Sequence, residues 1–279
     1  MSIISVQSHV SFGHVGNSAA QFAMQYLGHE VWPVHTVHLA HHPGHGGFHG
    51  SVSKPESISE MFDGLKQVGA FADCQALLSG YMGAVEIGDA TIAAWNHLKA
   101  AAPAAIYGCA TVIGDAQEGV YVDAALPGFF KTTAVPQADW VIANAFEAGL
   151  LTGDEVTDSD SARRAAQTLM TSGPSQVVVT SVPGGDRVGN LLAVGGRTWA
   201  AFATRHPNEV KGAGDFMAAV YMAKLIELRD PPAAFQFAVS ATALLVEAAQ
   251  SDPNGEMPLV TAADQWVSPA PGVEIYEIG

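Results

Sequence analysis

The chain has 279 residues and is 48% hydrophobic, which is enough to bury a sizeable core. Its formal net charge of −15 argues against nucleic acid or an anionic membrane as the main partner, because both attract basic surfaces. The sequence carries no signal-peptide pattern, no apolar run is expected to reach membrane-spanning length, and the only cysteines are Cys74 and Cys109, so we expect a cytoplasmic protein.

The first half of the sequence alternates between apolar runs typical of buried strands and segments with helical spacing. Strands are predicted at Ile3–Val10, Glu30–Leu39, Ala76–Tyr81 and Ala105–Cys109, and helices at Ala19–Leu27, Ser57–Val68 and Ala90–Ala101. The motif Ser57-x-x-Glu60 fits a capping box, which places the start of the second helix at Ser57. Connections of this length favour parallel crossovers between the strands.

A segment rich in glycine and histidine, residues 40–50, follows the second strand. A metal site made of His38, His42 and His49 is disfavoured, because glycine and proline prevent the helix that would align them and no acidic residue lies nearby. We predict instead a mobile flap at the mouth of a pocket.

The alternation continues through the second half of the sequence. Strands are predicted at Asp139–Ile142 and Gln176–Ser181, antiparallel edge strands within Gly184–Phe202, and helices at Asn144–Leu151, Ser161–Thr171, Phe216–Leu228 and Ala233–Ala249. The tail from Ser251 onward is rich in proline and acidic residues and carries no recognisable chemistry. The pattern as a whole predicts an α/β fold with a largely parallel sheet.

Several polar residues follow the carboxyl ends of predicted strands, where open α/β sheets bind their ligands. They are Ser8, Tyr81, Asp115, Asn144 and Glu147. Three of them have a purely structural alternative, since Asn144 and Glu147 also fit a helix cap and its partner, and Tyr81 fits an ordinary half-buried tyrosine. Gly13 and Gly16 resemble a phosphate loop only loosely, and neither a Walker motif nor a dinucleotide fingerprint occurs.

The sequence Gly212-Ala213-Gly214-Asp215 stands directly before an apolar helix. Glycines at a helix start allow close backbone packing and leave the first N–H groups unpaired, which makes an anion site suited to phosphate. Asp215 on the first turn is then positioned to take a proton from an attacking hydroxyl. The alternative is a tight turn in which Asp215 only caps the helix.

The combined motifs resemble the pyridoxal kinases of the ribokinase superfamily over nearly the whole chain. They are Val6-Gln7-Ser8-His9-Val10, Gly13-x-x-Gly16-Asn17, Ser79-Gly80-Tyr81, Gly114-Asp115, Asn144-x-x-Glu147-Ala148, Val179-Thr180-Ser181 and Gly212-x-Gly214-Asp215. The resemblance implies one domain, 1–279, with a three-layer α/β/α fold, a central mostly parallel sheet, antiparallel edge strands, and residues 251–279 packed on or near it. It also implies a homodimer that transfers the γ-phosphoryl group of ATP to the 5′-hydroxymethyl group of pyridoxal with Mg²⁺ and often a monovalent cation such as K⁺.

The resemblance also implies roles for individual residues. Asp215 would be the base, and the N–H groups of Gly212, Ala213 and Gly214 would form the anion hole. The remaining ATP and metal ligands would be Asp115, Tyr121, Asn144, Glu147, Thr180 and Ser181, with Glu147 and Asp115 at the metal, and the vitamer would meet Ser8, Pro43, Gly44, His45 and Tyr81.

Four positions depart from the pattern of these kinases, one of them Ala143, where a proline is common. Ala110 replaces an aspartate near the phosphates, Pro43 replaces a threonine of the flap, and His45 replaces a tyrosine. Pro43 has neither a hydroxyl nor an N–H group, so a ring contact there must be apolar or through a carbonyl. Two alternatives therefore stay open: a kinase for another hydroxymethyl heterocycle such as hydroxymethylpyrimidine, or a weakly active homologue that binds a vitamer or nucleotide.

Overall fold

A ten-stranded sheet runs through the computed structural model, which describes residues 1–270 and 272–278. In the described ranges the strands are β1 Ser2–Val10, β2 Glu30–Leu39, β3 Gly50–Val52, β4 Cys74–Ser79, β5 Ile106–Ala110, β6 Gly114–Asp115, β7 Gly119–Val120, β8 Trp140–Asn144, β9 Gln176–Gly184, β10 Arg187–Val194, β11 Arg197–Thr204 and β12 Ile275–Ile278. Their order is β12-β11-β10-β9-β8-β5-β4-β1-β2-β3, and β6 and β7 form a separate hairpin.

The centre of this sheet is parallel and its two edges are antiparallel. Each neighbouring pair from β2 through β1, β4, β5 and β8 to β9 is parallel, whereas β3 at one edge and β10, β11 and β12 at the other are antiparallel to their neighbours. Ile3, Ile4 and Val6 of β1 are fully buried, as expected for a parallel strand covered on both faces. The expected mostly parallel sheet with antiparallel edges is therefore confirmed.

Helices cover both faces of the sheet. They are α1 Asn17–Tyr26, α2 Pro55–Gln67, α3 Ala70–Asp73, α4 Val85–Ala101, α5 Leu126–Phe129, α6 Val135–Gln137, α7 Ala145–Thr152, α8 Ser159–Met170, α9 Ala213–Leu228, α10 Pro231–Ala249 and α11 Ala263–Trp266. One core contains residues of α2, α4, α7 and α8, and the other contains residues of α1, α9, α10 and α11. Two helical layers around one sheet give the three-layer α/β/α architecture.

The predicted capping box at the start of α2 is wrong. The helix begins two residues earlier, at Pro55, and its N-cap, Lys54, makes no side-chain cap hydrogen bond. Proline is well suited to the first helical position, since its fixed φ matches the helix and its missing N–H would have no partner there. Ser57 and Glu60 therefore lie inside the first two turns.

Helix α10 contradicts the expectation that no apolar run reaches membrane-spanning length. It has 19 residues and is long and apolar enough for a span by composition. It packs against α9, and Phe235, Ala238 and Leu245 on it are buried. Burial of this kind is typical of a core helix in an α/β protein.

The C-terminal tail belongs to the fold rather than lying beside it. Strand β12 pairs with β11 and extends the sheet. Trp266 on α11 is fully buried and packs edge-on against Phe216 of α9, with ring centroids 5.1 Å apart. Its indole N–H donates to the carbonyl oxygen of Leu259 across 2.9 Å, which satisfies its one polar group.

Candidate active site

A cleft of about 1600 Å³ lies beyond the carboxyl ends of the parallel strands. Almost all predicted site residues line it: Ser8, Pro43, Gly44, Tyr81, Asp115, Tyr121, Asn144, Glu147, Thr180, Ser181, Gly212, Ala213, Gly214 and Asp215. His45 does not line it, because its side chain turns to Glu256, with Nε2 2.8 Å from Oε1. The structure therefore does not bring His45 to the cleft, and its contact with the vitamer stays a prediction.

Gly212 forms the tight turn that starts α9. Its φ is +76°, a conformation that side-chain-bearing residues rarely adopt, and a Cβ atom there would collide with the carbonyl oxygen of His14. It is the N-cap of α9, so the N–H groups of Ala213, Gly214 and Asp215 have no acceptor within the helix. These donors and the positive end of the helix dipole open into the cleft, an arrangement that suits a phosphate group.

Asp215 is held in place by the loop that follows β1. The N–H group of Gly16 donates to its Oδ2 across 2.7 Å. Burial raises the pKa of Asp215 to about 6, and the hydrogen bond from Gly16 partly opposes this shift. A carboxylate with this pKa is suited to general-base chemistry near neutral pH.

Glu147 lies in the first turn of α7, directly after β8, and is nearly fully buried at 5% exposure. Asn144 and Glu147 form a capping box at the start of α7, so the structural alternative raised by the sequence is present. Glu147 Oε1 accepts the N–H of Ile113 at 2.8 Å, and Oε2 accepts the N–H of Asn144 at 3.0 Å and the hydroxyl of Thr111 at 3.3 Å. Burial raises the pKa of Glu147 to about 7 despite these hydrogen bonds.

Asp115 has a different hydrogen-bonding pattern. Its Oδ1 accepts the N–H groups of Gln117 and Glu118, each across 2.8 Å, while Oδ2 makes no hydrogen bond to the described part of the chain. In residues 1–270 and 272–278, no three His, Cys, Asp or Glu side chains come together as a metal cluster, and this includes the flap histidines. Mg²⁺ needs no such cluster, since it commonly uses one or two carboxylates with substrate phosphates and waters.

Thr180 and Ser181 reach the cleft through a bulge in β9. In the pairing of β9 with β10, Val182 faces Gly189 and Val179 faces Leu191, so Thr180 and Ser181 together oppose one residue. Ser181 has φ +57°, which is unusual for a residue other than glycine. The bulge therefore interrupts the ladder where two hydroxyl groups meet the cleft.

The flap between β2 and β3 covers one side of the cleft. Pro43–His45 form a single 3₁₀ turn, and His42 Nδ1 accepts the N–H of Gly44 at its start. Burial, with the nearby Lys211 ammonium, lowers the pKa of His42. The predicted position of the flap at the cleft mouth agrees with the lining by Pro43 and Gly44, and its mobility stays a prediction.

Three residues of this region were not identified from the sequence: Gly16, Lys211 and Glu256. Lys211 carried a usable signal, because a cation directly before Gly212 stands beside a predicted anion site. Gly16 was considered only as part of the Gly13-x-x-Gly16-Asn17 motif and of a loose resemblance to a phosphate loop. Glu256 is separated from His45 by 211 positions and stands in the tail, so no local pattern reveals the contact.

Comparison with known proteins agrees with this geometry. The family model described as pfkB family carbohydrate kinase matches residues 85–255. The chain is 37% identical to Pyridoxal kinase PdxY of Rubrobacter xylanophilus, over 96% of this chain and 94% of the relative. It is 35% identical to Pyridoxal kinase PdxY of Corynebacterium diphtheriae, with full coverage of both.

Similarity extends to solved structures. The pyridoxal kinase from Leishmania donovani in complex with ADP and ginkgotoxin superimposes with a TM-score of 0.94 at 25% identity, covering 100% of this chain and 99% of that one. The expected ribokinase-like fold is thus confirmed. With curated relatives above 30% identity over its full length, the chain belongs to the pyridoxal kinases of the PfkB carbohydrate kinase family.

Proposed function

We propose that the chain transfers the γ-phosphoryl group of ATP to the 5′-hydroxymethyl group of pyridoxal, giving pyridoxal 5′-phosphate and ADP. The observation that carries the proposal is the placement of Asp215 beside the free N–H groups at the start of α9, in the same cleft as Glu147 and Asp115. This combination offers a base, an anion site and carboxylates for a metal, which are the parts that phosphoryl transfer requires.

In this reaction Asp215 takes the proton of the hydroxymethyl group as its oxygen attacks the γ-phosphorus. The bond between that phosphorus and the β,γ-bridging oxygen breaks, and ADP leaves with the bonding electrons. The N–H groups following Gly212 stabilise the negative charge on the transferred group, because they are fixed in place before the reaction. Gly16 keeps Asp215 oriented through its hydrogen bond.

The carboxylates of Asp115 and Glu147 fit a site for Mg²⁺. Asp115 has a carboxylate oxygen that accepts no hydrogen bond from the described chain, whereas both oxygens of Glu147 accept backbone N–H groups. Asp115 is therefore the direct ligand we propose for Mg²⁺, and Glu147 acts through a water or after exchange of a hydrogen bond. Mg²⁺ bound here would neutralise phosphate charge. A monovalent cation such as K⁺ is proposed on the resemblance alone.

The nucleotide and vitamer sites follow from the lining of the cleft. We place the ATP phosphates against Thr180 and Ser181, with the half-exposed Tyr121 above them. The pyridine ring is proposed to lie between Ser8 and Tyr81 under the flap. Pro43 then contributes only apolar or carbonyl contacts.

The setting of the enzyme is also a proposal. A cytoplasmic location is supported by Cys74 and Cys109, which are free and buried as in proteins of reducing compartments. A homodimer is proposed on the resemblance alone.

The test is an ATP- and Mg²⁺-dependent phosphorylation assay with pyridoxal, pyridoxine, pyridoxamine and hydroxymethylpyrimidine. Pyridoxal should be turned over, and Asp215→Ala should lose about 10²–10⁴-fold in turnover while retaining ADP binding. The matched control is Glu227→Gln, a change of an exposed carboxylate at the far end of α9. Exclusive turnover of hydroxymethylpyrimidine, or an Asp215→Ala variant with more than about a tenth of normal turnover, would contradict the proposal.

A further inference from the structure

One glutamate of the C-terminal tail joins two segments of the candidate active site. Glu256 Oε1 lies 2.8 Å from His45 Nε2 of the flap, and Oε2 accepts the N–H of His14 across 3.0 Å. A carboxylate only accepts hydrogen bonds, so His45 donates through Nε2. Each carboxylate oxygen of Glu256 therefore binds a different segment. The side chain is only 11% exposed, so water competes little for these hydrogen bonds.

The segment that Glu256 holds on its other side also positions Asp215. His14 and Gly16 lie in one short loop, and Gly16 donates to Asp215. The carbonyl oxygen of His14 packs so closely against Gly212 that no Cβ atom fits there. A shift of this loop therefore displaces both the proposed base and the turn that forms the anion site.

The tail reaches the Gly212 turn by a second route. The carbonyl oxygen of Gly255, directly before Glu256, accepts the N–H of Lys211, directly before Gly212, across 3.3 Å. Residues 255 and 256 thus contact the flap, the loop of His14 and the start of α9. These segments are separated by about 30 to 200 positions in the sequence, and one short stretch of tail fixes their relative positions.

We propose that Glu256 is a positioning residue of the phosphoryl transfer: it holds the flap through His45 and the loop through His14, so that the covered vitamer meets an aligned Asp215. The proposal rests on the proposed kinase function. It assigns a role to a stretch of sequence that carries no recognisable motif.

The two contacts make separable kinetic predictions. His45→Ala removes the flap contact only, so it should raise KM for the vitamer about ten-fold and leave kcat within about two-fold. Glu256→Ala also removes the acceptor of His14, so it should raise the vitamer KM equally and lower kcat about ten-fold or more. KM for ATP should stay within about two-fold in both variants.

A double variant distinguishes positioning from general destabilisation. His45→Ala with Glu256→Ala should have the same vitamer KM as Glu256→Ala alone, because both changes remove the same contact, the one between His45 and Glu256. Glu256→Gln keeps one carbonyl acceptor and should fall between wild type and Glu256→Ala. Glu277→Ala is the matched control, since Glu277 on β12 makes only a half-exposed pair with Arg197.

Hydrogen exchange measures the contacts without turnover. In Glu256→Ala the amides of Gly47, which bonds to Pro43, and of Gly16, which bonds to Asp215, should exchange faster than in wild type. Unchanged exchange at both, or additive KM effects in the double variant, would overturn the proposal. If the unaltered protein turns over no vitamer, the proposed function fails, and exchange at Gly16 and Gly47 alone decides whether Glu256 holds the two segments.

Discussion

The N–H group of Gly16 donates to Oδ2 of Asp215 across 2.7 Å, which joins the loop after β1 to the first turn of α9 over 199 positions of sequence. Gly16 has φ +54°, and a Cβ atom there would meet the carbonyl oxygen and hydroxyl of Ser8. Only glycine fits this position, so the backbone that orients the proposed base is fixed by sterics as well as by the hydrogen bond.

The rate of vitamer phosphorylation should depend on the ionisation of Asp215. Burial raises its pKa to about 6, and only the deprotonated form can accept a proton. We expect kcat/KM to fall as the pH drops through about 6, in the pH profile of the free enzyme. Pyridoxal and pyridoxine should share this limb, because it belongs to the protein, and a limb that moves with the vitamer would contradict the assignment.

The same shift predicts how Asp215 affects stability. Its pKa is higher in the folded than in the unfolded chain, so the folded state binds more protons between these values and its stability falls as the pH rises through about 6. Asp215→Asn removes this ionisation. The free energy of unfolding of the variant minus that of wild type should therefore be larger at pH 8 than at pH 5. Urea unfolding at both pH values measures the difference, and a gain in the opposite direction would contradict the raised pKa.

Two glycine-to-alanine changes in one turn should have opposite effects on stability. Gly212→Ala introduces a Cβ atom at φ +76° against His14, so it should cost about 1–3 kcal/mol. Gly214→Ala has open space and lies within α9, where alanine is favoured by up to about 1 kcal/mol. Melting temperatures of the two purified variants test this, and equal destabilisation would show that steric closeness to His14 is not what selects glycine.

Glu147→Gln should destabilise the protein although the two side chains have almost the same shape. Each oxygen of Glu147 accepts a backbone N–H, from Ile113 or from Asn144, so an amide NH₂ group must face a donor whichever way it is turned. Leaving a buried donor without an acceptor costs about 1–3 kcal/mol. Urea unfolding at a pH above the Glu147 pKa of about 7, where the carboxylate is ionised, measures the cost. The control is the exposed Glu155→Gln, which should stay within about 0.5 kcal/mol of wild type.

The sequence could predict much of the fold because local patterns dominate in the central sheet. Val177, Val178 and Val179 form a buried run of β-branched residues, which favours a strand that is covered on both faces. The polar residues of the cleft could be predicted because ligands of open α/β sheets bind beyond the carboxyl ends of the strands. The start of α2 was missed, because Pro55 at the first helical position outweighed the apparent capping box of Ser57.

The roles of Gly16 and Glu256 could not be predicted, because they depend on contacts between distant segments. A glycine such as Gly16 looks like a turn residue until Asp215 is placed beside it. His45 belongs to a flap motif that faces the vitamer by resemblance, yet its partner is Glu256 in the tail. A single sequence gives no information on such pairs, since a contact between distant segments leaves no pattern of local spacing.

Asp115→Asn should weaken the response to Mg²⁺ while leaving the local turn intact. Asparagine keeps the oxygen that accepts the N–H groups of Gln117 and Glu118 and replaces only the second carboxylate oxygen, the one proposed to bind the metal. We therefore expect the Mg²⁺ concentration for half-maximal velocity to rise about ten-fold or more, with an unchanged melting temperature. Asp123→Asn is the matched control, because Oδ1 of Asp123 accepts the N–H of Ala125 in the same kind of turn outside the lining of the cleft. An equal Mg²⁺ requirement in the Asp115 and Asp123 variants would place the metal ligand elsewhere, and Glu147 would then be the carboxylate to test.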